Sequence, residues 1–358
     1  MQECKNARTK ECRKKNNSVT HLPCYPVTLL PCYPVTIMDE ISEKLIDIEA
    51  VIASKNPALL RWIPKFVISY LKRITHQDEV NGYIWRNRHL SGVPFVIAIL
   101  KEFGVKVEVN CLRNNDLTPQ PPLLEGEGEH LASCISHLSS GRYIIAANHP
   151  LGGIDGMALM QEVGRVRPDI VFPVNDLLMN VPGLRPLFIP INKHGKNTEN
   201  ARIIDATFAS EKLVLFFPAG LVSRKMDRRM QKKNHPSSRF RDPSHQSRVT
   251  SHEIRDLEWK STFIKKSKKY HRDVVPVFIG GRNSEWFYNL SRWRMRLGIK
   301  ANIEMLYLVD EMAKQFGKTI TLTFGDPIPY TTFDKSKTEA QWAEWVKEQV
   351  YGLAHSPD

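Results

Sequence analysis

Ala146-Ala147-Asn148-His149-Pro150-Leu151-Gly152-Gly153-Ile154-Asp155-Gly156 joins an apolar, strand-like run over 142–147 to a helical pattern over 157–166. Pro150 disfavours the α region for the residue before it, so His149 is expected in extended backbone, outside the helix. Gly152 and Gly153 permit the dihedrals of a sharp return. Asp155 then falls in or beside the first helical turn. This arrangement can bring an imidazole and a carboxylate together. A carboxylate on one ring nitrogen fixes the tautomer and makes the other nitrogen a better base. An aspartate at a helix start is often only a cap or a dipole partner, so the rest of the chain must decide.

The chain has 358 residues, enough for a full core, and a formal net charge of +13. Segments 1–37 and 231–252 each carry +4 and segment 114–130 carries −4, which leaves +9 on the remainder. That balance suits a nucleic acid, an anionic membrane surface or an acidic acyl carrier. Four of the six cysteines (Cys4, Cys12, Cys24, Cys32) lie in the first 37 residues. Cys111 and Cys134 have no metal-ligand spacing, so no metal is expected and reduced thiols are the default. No apolar run approaches the ~20 residues of a spanning helix, and residues 1–20 lack a signal core. A soluble or peripheral protein is expected.

Leu22-Pro-Cys-Tyr-Pro-Val-Thr-Leu29 is followed at once by Leu30-Pro-Cys-Tyr-Pro-Val-Thr-Ile37. A short repeat with two prolines per unit resists helix and central strand. Residues 1–37 are therefore read as a disordered extension, with folding beginning at Met38. Removing 1–37 is expected to leave thermal stability and activity intact; loss of either refutes this.

Residues 38–104 read as a helical region. Within 57–74, Trp62, Phe66, Ile68, Tyr70 and Leu71 are interleaved with Arg61, Lys65, Lys72 and Arg73, as in a helix lying in a membrane interface. Packing on the domain core is the competing reading. From residue 105 onward, strands are expected at 105–109, 169–174, 187–191, 213–217, 273–279 and 319–324. Helices are expected at 131–140, 198–211, 254–268 and 339–353. Segment 286–308 is again basic and aromatic. Segments 114–130 and 231–252 read as loop insertions. Alternation of strand and helix argues an α/β fold with a largely covered sheet.

Three further strand ends run into polar or glycine-containing turns: 190–195, 217–225 and 279–283. Taken with Asn148-His149…Asp155, they make the sequence resemble the glycerophospholipid acyltransferase family, which includes 1-acylglycerol-3-phosphate acyltransferases. Leu187-Phe188-Ile189-Pro190-Ile191 looks like the family's second block. Phe217-Pro218-Ala219-Gly220 with Arg224 looks like the third, and Val275-Pro276-Val277-Phe278-Ile279 the fourth. The resemblance covers roughly residues 130–330. It implies a mixed sheet flanked by helices, with the N-terminal helical region attached. It also implies an acyl-CoA or acyl carrier protein donor, a lipid acceptor, and a peripheral place on the cytoplasmic face of a bacterial inner membrane. Two departures stand out. Five residues separate His149 from Asp155 where the family usually has four, and Ala219 replaces the family's Glu. That Glu is commonly tied to acceptor binding. The variant looks like the branch that O-acylates ornithine- or glycine-type aminolipids, an alternative to a glycerol phosphate acceptor.

The residues support acyl transfer in their own right. A thioester is already electrophilic, whereas a hydroxyl is a poor nucleophile until its proton is removed. His149, held by Asp155, can take that proton during attack. No cofactor is needed beyond the donor, and no G-x-S-x-G signals a covalent intermediate. Arg224, Lys225 and Lys193 are the cations offered for a phosphate or carboxylate; each competes with an ordinary solvated charge. Asn148, Gly152, Gly153, Pro218 and Gly220 complete the candidate binding positions, with the glycine amides available as oxyanion donors. Ser223 reads as a turn hydroxyl and His194 as a loop residue. Two rival readings remain: a basic nucleic-acid-binding protein, for which no basic helix or RNA-binding motif is found, and a catalytically inactive lipid-binding homologue.

Overall fold

A computed structural model describes residues 46–55, 61–112, 135–191, 197–226, 253–299 and 302–355. The extension 1–37, the insertions 114–130 and 231–252, and Lys193 and His194 lie outside the described residues. The strands are β1 (Lys106–Cys111), β2 (Tyr143–Ala147), β3 (Ile170–Asn175), β4 (Phe188–Ile191), β5 (Leu213–Phe216), β6 (Arg224–Lys225), β7 (Ile254–Arg255), β8 (Asp273–Ile279) and β9 (Thr319–Phe324). Seven form one mixed sheet in the order β1-β9-β8-β2-β5-β3-β4, and β6 and β7 form a separate ribbon. Within the large sheet only β8 and β9 run antiparallel.

The helices are α1 (Ile48–Lys55), α2 (Lys65–Ile74), α3 (Gln77–Arg86), α4 (Val93–Glu102), α5 (Gly153–Val166), α6 (Asn197–Ala209), α7 (Thr262–Tyr270), α8 (Glu285–Arg296), α9 (Leu308–Ala313) and α10 (Glu339–Gly352). They cover both faces of the sheet, and the strand sequences show why. Ile145 and Ala147 join a core with Val96 and Leu100 of α4 and Ala158 and Leu159 of α5. Ile144 and Ala146, one residue out of phase, join a second core with Phe263 of α7 and Val346 and Val350 of α10. A strand buried on both faces must be apolar along its buried length, as β2 and β5 are and as β8 is after Asp273. Gly164 lets α5 approach α4 closely, since a Cβ there would lie 2.5 Å from Val93 Cγ2.

The α/β class and the mixed, helix-flanked sheet match the sequence reading. Several local expectations do not. The segment 254–268 is not one helix: Ile254–Arg255 pairs with Arg224–Lys225, and α7 starts only at Thr262. Tertiary pairing there overrides a helical pattern. Helix α5 starts at Gly153 rather than Met157, because Asp155 caps its first turn. The helix expected at 131–140 is, where described, only the 3-10 turn Ser136–Ser139. In the helical N-terminal region, α2 begins at Lys65, immediately after Pro64. The expectation of reduced thiols fails for Cys111, which ends β1 and is disulfide-bonded. No helix among the described residues is long and apolar enough to cross a membrane.

Candidate active site

The parallel strands β2, β5 and β8 are neighbours, so their carboxyl ends converge on one edge of the sheet. The turn after β2 supplies His149, the turn after β5 supplies Phe217 to Gly220, and the turn after β8 follows Ile279. Asn148 locks two of these turns together. Its Nδ2 donates to the Ile279 carbonyl at 2.9 Å, and its Oδ1 accepts the Ile279 N–H at 2.6 Å. Asn148 is buried and both ends of its amide are used, so it is a tie between strands rather than a group offered to substrate.

His149 Nδ1 lies 3.1 Å from both carboxylate oxygens of Asp155. Gly152, at φ +99°, turns the chain so that Asp155 enters the first turn of α5 fully buried. Its carboxylate also accepts the N–H groups of Leu151 at 2.9 Å, Gly152 at 3.2 Å and Gly156 at 2.9 Å. The acceptance from Gly152 is the reach-back half of a capping box. The capping and imidazole-orienting roles that sequence leaves as alternatives are thus filled by one side chain. Phe217 stacks on the imidazole with ring centroids 4.1 Å apart. Burial opposes the imidazolium, but the charge and hydrogen bond of Asp155, with a further contribution from Asp256, hold the His149 pKa above its ordinary value; Arg224 pulls the other way. The His149 side chain keeps 18% of its surface exposed, so a substrate can reach it from the edge of the sheet.

The other candidates divide. Gly152 spends its N–H on Asp155, which leaves Gly153, exposed at the start of α5, as the available amide of the pair. Pro218 is buried, its carbonyl accepting the Lys260 N–H, and Gly220 adopts φ +64° with a Cβ position 3.3 Å from Lys260 Nζ. Arg224 does not present a free cation as expected. It is buried, its guanidinium donates to Glu304 Oε1 at 2.9 Å, and it lies over the Phe287 ring. Arg294 Nε meets the other oxygen of Glu304 at 2.8 Å. Lys225 is likewise paired, with Glu285 Oε2 at 2.9 Å. Ser223 is no nucleophile in this setting, because its hydroxyl donates to Asp256 Oδ1 at 2.6 Å.

Asp256 and Glu304 escape the sequence reading. Asp256 lies just beyond β7 and reaches His149 only because β6 and β7 pair. Its neighbourhood reads as helix, and nothing local marks it. Glu304 sits in a stretch read only as basic and aromatic. The surplus of Arg292, Arg294 and Arg296 over nearby acids was the available sign that a buried counter-charge was needed.

Comparison with known proteins bears on this arrangement. A family model described as acyltransferase matches residues 133–237 and 233–358. A lyso-glycine lipid O-acyltransferase of Bacteroides thetaiotaomicron is 45% identical over 318 residues, spanning 88% of this chain and all of that one. A protein of the same name from Phocaeicola vulgatus is 42% identical over 318 residues, spanning 88% of this chain and 98% of that one. Among solved structures, the 1-acyl-sn-glycerophosphate acyltransferase of Thermotoga maritima aligns at 14% identity and a TM-score of 0.39, over 82% of this chain and 99% of that chain.

Proposed function

We propose that this chain, which belongs to the acyltransferase family and is a lipid O-acyltransferase, acylates the hydroxyl of an aminolipid of the glycine-lipid type. The donor is an acyl-CoA or acyl carrier protein thioester, and His149 is the general base. The observation that carries the mechanism is the double contact of His149 Nδ1 with Asp155. Nδ1–H donates to the carboxylate, leaving Nε2 unprotonated and able to accept the acceptor's hydroxyl proton. The alkoxide oxygen forms a bond to the thioester carbonyl carbon. The tetrahedral intermediate then expels the thiolate, which takes the proton from the imidazolium. Ester and free thiol are the products, and His149 is restored.

Two observations favour the aminolipid over a glycerol phosphate. The curated relatives at 45% and 42% identity carry the lyso-glycine lipid name. In this chain Ala219 replaces the Glu of the third block, and Arg224, five residues on, is already paired with Glu304. The test is thiol release from acyl-CoA and from acyl carrier protein, with lyso-glycine lipid and lysophosphatidic acid offered in parallel. Release that depends on lyso-glycine lipid and on His149 is expected. Release with lysophosphatidic acid alone returns the acceptor to a glycerol phosphate. Vesicle binding without release on any pairing refutes the proposal.

The acceptor is a membrane lipid, and one face of the protein suits a bilayer. Trp62 is 85% exposed and Phe66 lies on the same segment. Trp286 and Trp293 of α8 are exposed as well, the latter at 67%. Tyr70 and Tyr307 share a 2.6 Å hydrogen bond, and Tyr307 packs edge-on against Trp286, which joins the two aromatic segments. Arg61, Lys65, Arg73 and Arg296 flank these rings in sequence. Aromatics rimmed by cations fit an anionic interface. Replacing Phe66 and Trp293 together by serine is expected to weaken binding to phosphatidylglycerol vesicles by roughly 10–100-fold, from about 0.7–1.4 kcal/mol per ring, half the value for full burial, with an unchanged melting temperature. Sedimentation with vesicles measures it; unchanged binding removes this face from the reading.

A further inference from the structure

The ribbon of β6 and β7 grips the backbone of His149 from both sides. The residue before β6, Ser223, donates its N–H to the His149 carbonyl at 2.7 Å. The residue after β7, Asp256, accepts the His149 N–H on Oδ1 at 3.2 Å. Arg224 and Arg255 are register partners in the ribbon, which sets Ser223 and Asp256 opposite each other and allows the 2.6 Å bond between them. Both polar backbone groups of His149 are therefore satisfied by one element, far from it in sequence.

Asp256 is fully buried and has no cationic partner within ion-pairing distance among the described residues. Its Oδ2 accepts Trp259 Nε1–H at 2.9 Å, and its own N–H donates to Tyr351 Oη at 2.7 Å. A buried carboxylate held only by neutral donors is costly compared with a neutral tether. A serine or asparagine could hold the His149 N–H at less cost. Its charge therefore calls for a use, and the imidazole is adjacent.

We propose that Asp256 is a positioning residue for His149, fixing its backbone through Oδ1 and placing a second negative charge behind the imidazole that stabilises the protonated ring formed during acyl transfer. This rests on the reading of His149 as the general base. The charged groups facing that ring are Asp155 from α5, Asp256 from the segment after β7, and Arg224 from β6, whose charge is shared with Glu304 and Arg294. Burial holds the Asp256 carboxyl above its ordinary value, against the pull of the Ser223 and Trp259 hydrogen bonds and of His149. Asp256 in turn favours the charged form of His149.

The test separates charge from tether. Asp256→Asn keeps an oxygen for His149 and Ser223 but sets an amide N–H against Trp259 Nε1–H, so it is made together with Trp259→Phe; Trp259→Phe alone is the control. Two readouts are used: thiol release with lyso-glycine lipid, and the His149 titration by NMR of selectively labelled histidine, assigned by its absence in His149→Ala. With folding verified by circular dichroism, the paired variant is expected to lose roughly 10-fold or more in kcat. Its His149 midpoint and the acid limb of kcat/KM should fall by roughly half to one pH unit. Asp256→Glu keeps the charge but displaces it, and is expected to lower kcat while the midpoint stays high. An unmoved midpoint in the paired variant reduces Asp256 to a tether, and wild-type kcat in Asp256→Glu overturns the positioning role even if the paired variant does not fold. If His149→Ala is fully active, the general-base reading itself fails, an outcome distinct from either.

Discussion

His149→Ala is expected to remain folded and to release thiol at a rate lower by roughly 10²–10⁴, the usual contribution of a general base. The imidazole is partly exposed, and its removal leaves Asp155 with its three backbone donors, so the turn after β2 keeps its shape. What is lost structurally is the stack on Phe217, worth about 0.5–1.5 kcal/mol. The wild-type pH profile should point to the same residue. Burial works against the imidazolium, but Asp155 and Asp256 together outweigh it and raise the His149 pKa. The acid limb of kcat/KM is then expected above the ordinary histidine value of about 6.5. Linkage fixes a further sign. A group with a raised folded-state pKa stabilises the fold fully below its unfolded pKa and loses that contribution as pH rises through the folded pKa. His149→Ala should therefore cost more stability near pH 5 than near pH 9. Urea melts at the two pH values measure this, and a larger cost at high pH refutes the assignment of the shift.

How much of this was legible in sequence depends on the range of the interaction. The strands Asp273–Ile279 and Thr319–Phe324 coincide with their expected limits, the first because a strand buried on both faces is an unbroken apolar run after its polar first residue, the second because threonine alternates with Ile320, Leu322 and Phe324 at the strand period. The closeness of His149 and Asp155 was also readable, since Pro150 and Gly152 fix the geometry within seven residues. Lipid acyl transfer followed from four blocks in order, and the aminolipid alternative followed from Ala219. Asp256 was not readable. It sits 107 residues from His149, and its contact exists only through a two-residue ribbon. Arg224 failed in the opposite way. Sequence places it rightly beside the site but cannot show that Glu304, 80 residues later, already holds it. A cation's availability is a property of its partners, and those are fixed by packing.

Asp155→Asn is expected to do more damage than His149→Ala, because one carboxylate serves both the fold and the base. Its Oδ2 receives two backbone N–H groups and Oδ1 a third, and both oxygens face His149 Nδ1. An asparagine has one acceptor oxygen. Placed toward Leu151 and Gly152, it sets its amide N–H against the Gly156 N–H; reversed, it opposes two donors instead of one. The buried, unsatisfied groups cost about 1–3 kcal/mol, to be read from the urea midpoint. The chemical loss is separate. An amide N–H facing Nδ1 makes that nitrogen an acceptor and puts the ring proton on Nε2, where the base must be empty. A tautomer error of this kind lowers kcat by on the order of 10⁴ in a serine protease triad. A similar fall is expected here, measured as thiol release under conditions where the variant is folded. The double variant His149→Ala with Asp155→Asn then distinguishes the two roles. If Asp155 acts on the chemistry only through His149, adding Asp155→Asn to His149→Ala lowers kcat no further, while the two stability costs still accumulate. A further large drop in kcat would mean that Asp155 meets the substrate by a route that does not pass through the imidazole.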